Sequence, residues 1–290
     1  MANREYCRVT RRRVYCKEDV QSSKKKSRLI FNDLYDANSN PTDINNIINN
    51  IISNNITELH IDGILKIDDS ILNSLKNNKS LKSLIITNTK FATDDIEKIG
   101  FFLSNNISLS KLIVDSPIIE PRYQKCTYFF NYLISIIVTN KEIPLKYVSF
   151  SNCNDKFFAS SAWEREQLSL FDIGLLMTQK KGLYTLKLQN IGLEDYNIVD
   201  FRKGIADSVE ELDISNNEDI SDEGGMIIVR ALKENMGNNK LRKINVNGTN
   251  ISEKVKEELE KYIIVEKPKS LKWKFMKELM NKEEVYGYKY

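Results

Sequence analysis

LKSLIITNT, residues 81–89, is answered by LSKLIVDSP at 109–117, and both have the form apolar-x-x-apolar-x-apolar-x-x-(Asn, Thr, Cys or a substitute). Five further copies start at Ile56 (ITELHIDGI), Leu145 (LKYVSFSNC), Leu183 (LYTLKLQNI), Val209 (VEELDISNN) and Leu241 (LRKINVNGT). The seven starts lie 25, 28, 36, 38, 26 and 32 residues apart, so the period is near 28 and is stretched where material has been inserted.

Positions 4 and 6 of each phrase follow the two-residue period of a strand. This puts Leu84 with Ile86, Leu112 with Val114, Leu186 with Leu188, Leu212 with Ile214 and Ile244 with Val246 on one buried face. Helix start signals come next: Thr93-Asp94-Asp95 before IEKIGFFL, Ser221-Asp222-Glu223 before GGMIIVRAL, and Ser252 before EKVKEELEKYI. Small hydroxyl and carboxylate side chains there accept from the free N–H groups of a first helical turn. One strand and one helix cannot hide their own apolar faces, so each unit requires neighbours that share a continuous core. At the ninth place a side-chain amide, as in Asn217, can bond strand-to-loop backbone of the adjacent unit; Cys153 and Thr249 do so less well.

A phrase of this kind with a full helix per unit resembles the leucine-rich repeats of the ribonuclease-inhibitor type, most closely in DISNNEDISDEGGMIIVRALKENMGNNKLRKINVNGTNIS, residues 213–252. The resemblance implies an α/β fold, a curved leucine-rich repeat solenoid with a parallel sheet inside and helices outside. It implies little about function, because this architecture serves inhibitors, adaptors, actin regulators and GTPase activators alike. The stretch LKSLIITNTKFATDDIEKIGFFLSNNISLSKLIVDS is also distantly similar to the repeat domain of tropomodulin, especially at Asn88-Thr89 and Asp94-Asp95. That similarity implies an actin-regulating role, against which the basic N-terminal stretch does not look like a tropomyosin-binding helix.

Three regions are expected: a basic leader (1–40), a solenoid of about seven repeats (41–265) and a basic capping helix with its tail (266–290). The net charge of +3 conceals this division. Residues 1–28 hold ten Lys and Arg against three acids and residues 266–290 seven against four, leaving 26 against 33 between them. Within the leader, VTRRRVYC alternates like an edge strand, and the clusters Arg11, Arg12, Arg13 and Lys24, Lys25, Lys26 suit RNA phosphates or an acidic partner. The spacing of Ile44, Ile47, Ile48 and Ile51 predicts a capping helix before the first full repeat. Residues 126–138, CTYFFNYLISIIV, are too short to cross a bilayer and read as the buried helix of the third repeat.

The N-terminus has no apolar segment behind its basic stretch, so an intracellular location is expected, the cytoplasm ahead of the nucleus. Cys126 and Cys153 read as ordinary core thiols, and a Cys7–Cys16 bridge fits only an oxidising compartment. No metal or cofactor is expected: there is no CxxC pair and a single histidine, His60. Nor is an enzyme expected, in the absence of a Gly-rich phosphate loop, GxSxG or HExxH.

The expected function is therefore non-enzymatic: a scaffold gripping another protein. Side chains at positions 3, 5 and 7 line the inner surface of such an array. Position 3 runs Glu58, Ser83, Lys111, Tyr147, Thr185, Glu211, Lys243; position 5 runs His60, Ile85, Ile113, Ser149, Lys187, Asp213, Asn245; position 7 begins Asp62, Thr87, Asp115. Ile85 and Ile113, an apolar pair at positions facing water, with Tyr147 and Lys111 beside them, have the composition of an interface centre. Lys187 and Asp213 complete the expected contact set. The stretched gaps also concentrate Phe157, Phe158 and Trp163 outside the repeat pattern, where inserted loops often make contacts.

Overall fold

The computed structural model describes residues 13–18, 27–32, 49, 56–63, 73–75, 78–119, 126–153, 171–202, 204–205, 209–237 and 239–266. Each of the seven phrases forms a strand. They are β3 (Glu58–Asp62), β4 (Ser83–Thr87), β6 (Lys111–Asp115), β8 (Tyr147–Ser151), β9 (Thr185–Gln189), β10 (Glu211–Asp213) and β11 (Lys243–Asn245). All seven lie side by side in chain order, parallel throughout. Register follows the phrase: position 3 pairs with position 3 across every step, as in Glu58 with Ser83, Ser83 with Lys111 and Lys111 with Tyr147.

The sheet is longer than the seven phrases. β1 (Arg13–Glu18) and β2 (Ser27–Asn32) form an antiparallel pair, and β2 joins β3 in parallel, so the sheet takes in part of the segment read as a leader. At the far end β12 (Ile264–Val265) adds a parallel strand to β11. The result is a mostly parallel α/β sheet of ten strands.

Between the strands lie α1 (Thr93–Asn105), α2 (Cys126–Thr139), α3 (Phe171–Gln179), α4 (Asp195–Phe201), α5 (Asp222–Glu234) and α6 (Glu253–Glu260). They pack against one another in the same order as the strands. The residues at positions 4 and 6 of all seven phrases are no more than 2% exposed. They meet the apolar helix faces in one continuous core, each large aliphatic side chain gaining about 1.5–3 kcal/mol from leaving water. The other face of the strands is half-buried and alternates with this one, as the burial of β3, β6 and β9 shows.

What stops each strand is visible at position 8. Gly63, Asn88, Ser116, Asn152, Asn190, Asn216 and Gly248 all have φ between +49° and +73°. In this left-handed conformation the position-8 N–H turns to the next unit: Gly63 donates to the Thr87 carbonyl, Asn88 to Asp115, Ser116 to Ser151, Asn152 to Gln189, Asn190 to Ser215 and Asn216 to Asn247, all at 2.8–3.0 Å. Glycine and asparagine tolerate that conformation best, which explains their dominance in the column. At position 9, the buried Asn217 accepts from the N–H groups of Ile191 and Leu193 and donates to the Leu188 and Ile214 carbonyls.

The stretch 126–138 forms α2, where Phe129 and Phe130 bridge Phe91 of β5 (Lys90–Phe91) to Phe150 of β8. Successive ring centroids are 5.1, 5.8 and 4.6 Å apart. β5 pairs with β7 (Ile118–Ile119) in a small second sheet. At the helix starts, the Ser221 hydroxyl accepts from the Glu223 N–H, and Asp95 accepts from the Ala92 N–H. The Ser252 side chain caps nothing; its backbone N–H instead donates to Asp222 of the preceding helix.

Cys153 corrects an expectation. It is disulfide-bonded, not an ordinary core thiol. Linear spacing carries no information on which thiols the stacking of units brings together. No helix among the described residues is long and apolar enough to cross a membrane. The capping helix expected around Ile44, the aromatic insert with Phe157, Phe158 and Trp163, and the basic C-terminal segment beyond residue 266 lie outside the described residues, residue 49 apart.

Candidate functional site

The sheet face opposite the helices is assembled from the three columns. Ile85 on β4 pairs directly with Ile113 on β6, and both are half-buried. Two residues earlier Lys111 pairs with Tyr147 on β8. The Lys111 Nζ stands 5.5 Å from the Tyr147 ring centroid and the Lys187 Nζ, from β9 on the other side, stands 5.8 Å from it. The ring is thus bracketed by two ammonium groups. Cation–π attraction holds them in place while leaving their N–H donors available.

Asp213, also in the expected contact set, is engaged within the sheet. It is only 7% exposed, and its carboxylate accepts from Gln189 Nε2 at 2.7 Å and from the Ser215 N–H at 3.1 Å. Strand β10 is short, and the carboxylate is occupied in tying it to β9 and to the turn that follows. Ser149, in the same column, is also buried. Arg11, Arg12, Lys24, Lys25 and Lys26 lie outside the described residues, and Arg13 begins β1 with its side chain undescribed.

At the exit ends of the strands a polar pattern repeats. Asp62 accepts from the Thr87 hydroxyl at 2.6 Å and from Asn88 Nδ2 at 3.0 Å. Two strands on, Asp115 accepts from the Ser151 hydroxyl at 2.9 Å and from Asn152 Nδ2 at 2.7 Å. A position-7 acid thus takes a hydroxyl and a left-handed Asn from the next unit. Its signal in the sequence is Asn at position 8, one place before the ninth-position amide. His60 belongs to this structural set, with Nε2 3.0 Å from the Thr87 hydroxyl. Burial works to raise the Asp62 pKa, but the hydrogen bonds from Thr87 and Asn88 and the nearby His60 outweigh it and hold the carboxyl below its usual 3.8.

A shallow depression farther along is lined by Lys187, Glu211, Asp213, Lys243, Asn245 and Glu266. Its charges are largely matched: Lys243 is ion-paired to Glu266, whose hydrogen bond raises the lysine's pKa. No group of three or more His, Cys, Asp or Glu among the described residues is placed to hold a metal ion. What the face offers is a surface for contact: an apolar pair, a bracketed aromatic ring and lysines.

No family model matches the chain, and no curated protein matches its sequence. Solved structures do. The tropomodulin C-terminal domain of Caenorhabditis elegans is 13% identical with a TM-score of 0.40, covering 50% of this chain and 82% of that one. Actin-binding site 2 of leiomodin-1 is 15% identical with a TM-score of 0.38, covering 51% and 80%. A leucine-rich repeat protein of Leptospira interrogans is 13% identical with a TM-score of 0.21, covering 74% and 79%. At these values the likenesses transfer neither a partner nor an activity to this chain.

Proposed function

We propose that this chain is a leucine-rich repeat solenoid of the ribonuclease-inhibitor type and acts as a non-enzymatic scaffold that binds another protein through the sheet face opposite its helices. The observation that carries this reading is the in-register cluster of Ile85, Ile113, Lys111 and Tyr147, apolar and aromatic groups standing half-buried where the fold itself leaves them uncovered. Half-buried branched side chains flanked by an aromatic and a charge gain most from a partner that completes their burial.

The test is affinity capture with the full chain, followed by the same capture with Ile85→Glu plus Ile113→Glu after circular dichroism has shown the variant folded. A defined complex lost in the variant supports the reading. Retention of that complex by the folded variant places the contact elsewhere.

The tropomodulin-like stretch around Asn88-Thr89 and Asp94-Asp95 makes actin the first named partner to assay. Co-sedimentation with filaments and an assay of filament-end growth decide it, and no effect on either removes actin from consideration.

A further inference from the structure

The candidate face is not uniformly charged. On β4, β6, β8 and β9 and at their entries stand Lys82, Lys111, Lys146 and Lys187, together with Tyr147 and Tyr184. Lys82, Lys146 and Tyr184 are exposed, at the residue before each strand begins. None of the four lysines is ion-paired among the described residues. The one acid on these four strands is Asp115 at the exit end of β6, whose carboxylate is occupied by Ser151 and Asn152. Toward β10 the sign changes: it brings Glu211, with Glu210 just before it, and Asp213, in register with Lys187 but engaged by Gln189 and Ser215. On the other side Glu58 of β3 stands in register with Arg28 of β2.

We infer that this patch docks a short, extended acidic segment of a partner polypeptide, with carboxylates on Lys111 and Lys187 and an apolar side chain on Ile85 and Ile113. The inference rests on the protein-binding reading above and specifies its partner. Lys111 and Lys187 are carried by strands two steps apart, roughly 10 Å at the usual strand spacing. An extended chain advances about 3.3 Å per residue, so acids two or three residues apart reach both lysines. The ammonium groups are already placed by the Tyr147 ring, so less side-chain freedom is lost on binding.

Length and sign select a peptide over a nucleic acid. Four strands give the basic patch a width of roughly 15 Å. A phosphate backbone continuing past β9 meets Glu210 and Glu211, whereas a short acidic stretch ends before reaching them. The apolar pair directly beside Lys111 has no role toward a phosphate backbone, but it accepts a leucine or similar side chain from a peptide.

The probe is a short fluorescein-labelled peptide in which Glu and Asp alternate with Leu and Ser, titrated by anisotropy against the full chain. Its Gln and Asn counterpart and a single-stranded RNA of equal charge run in parallel. The acidic peptide is expected to bind more tightly than both, and to weaken with rising salt. Charge reversal at Lys111→Glu plus Lys187→Glu should reduce its affinity at least about tenfold, and Tyr147→Leu should reduce it less. Circular dichroism confirms that the folded state is retained at these surface positions.

Equal binding of the neutral peptide, tighter binding of the RNA, or an affinity unmoved by charge reversal overturns the inference. The protein-binding reading fails separately. A complex lost in Ile85→Glu plus Ile113→Glu but kept in the lysine double variant preserves that reading and removes the acidic segment.

Discussion

A left-handed residue ends each rung, and its identity is a matter of sterics. At Gly248 (φ +73°) an added Cβ would stand 2.5 Å from Asn216 Oδ1 and 3.2 Å from the Asn216 Cα, whereas at Gly192 (φ +75°) nothing lies within 4 Å. Both substitutions by alanine carry the conformational cost of positive φ, about 1 kcal/mol. Only Gly248→Ala adds a clash with the preceding rung. Urea denaturation should therefore show Gly248→Ala clearly more destabilising than Gly192→Ala, and equal losses would mean that the close approach at Asn216 relaxes without cost.

Asp62 makes stability depend on pH. Its folded pKa lies below the ordinary 3.8, so its contribution to stability is complete above the unfolded value and is lost as pH falls through the folded one. Burial raises the Asp200 pKa, which acts with the opposite sign. The informative comparison is accordingly Asp62→Asn against the parent chain. As pH falls below about 4 the parent should lose stability more steeply. Parallel curves from urea titrations at each pH would show that Thr87, Asn88 and His60 do not favour the charged carboxylate.

Among the elements, neighbouring helices are joined through their first turns. Asp195 at the start of α4 accepts from the Ser221 N–H at 2.8 Å, from the Ser221 hydroxyl at 2.5 Å and from the Gly224 N–H at 3.0 Å. A carboxylate from one helix therefore satisfies free N–H groups at the N-terminus of the next, where the helix dipole also favours negative charge. Asp222 repeats the device toward Ser252. Asp195→Ala should cost about 1–2 kcal/mol. Hydrogen exchange should localise the loss to the first turn of α5; unchanged protection there would assign the capping to Ser221 alone. The sequence showed where α5 begins, because a Ser-Asp-Glu run marks a helix start. That the cap comes from the preceding unit depends on a contact between residues 26 positions apart.

For the whole molecule, the consequence of sequential strand order is that disturbance stays local. Each strand in the ten-stranded sheet pairs only with its neighbours in that order, so stability approximates a sum of unit and nearest-neighbour terms. Ile244→Ala, in a fully buried position of β11, should cost about 2–5 kcal/mol. Amide protection is expected to fall over β10, β11 and β12 while β4 and β6 keep theirs. A uniform loss across the sheet would instead reveal a single cooperative unit.

Seven strands, their common register and the two buried columns follow from the repeated phrase alone, because a shared core forces the same residue type into the same place in every unit. The same recurrence holds the position-8 column of Gly, Asn and one Ser, whose left-handed backbone turns each strand toward the next unit. What each remaining side chain meets is set by the packing of the folded chain. Folding tied Asp213 to Gln189, left Ile85 beside Ile113 half-buried, set two lysines about Tyr147, bonded Cys153 in a disulfide, and added β2 and β12 to the sheet. The reason is physical: burial in the core depends on a pattern repeated along the chain, whereas a contact on the open face depends on which unlike residues adjacent units bring within a few ångströms of each other.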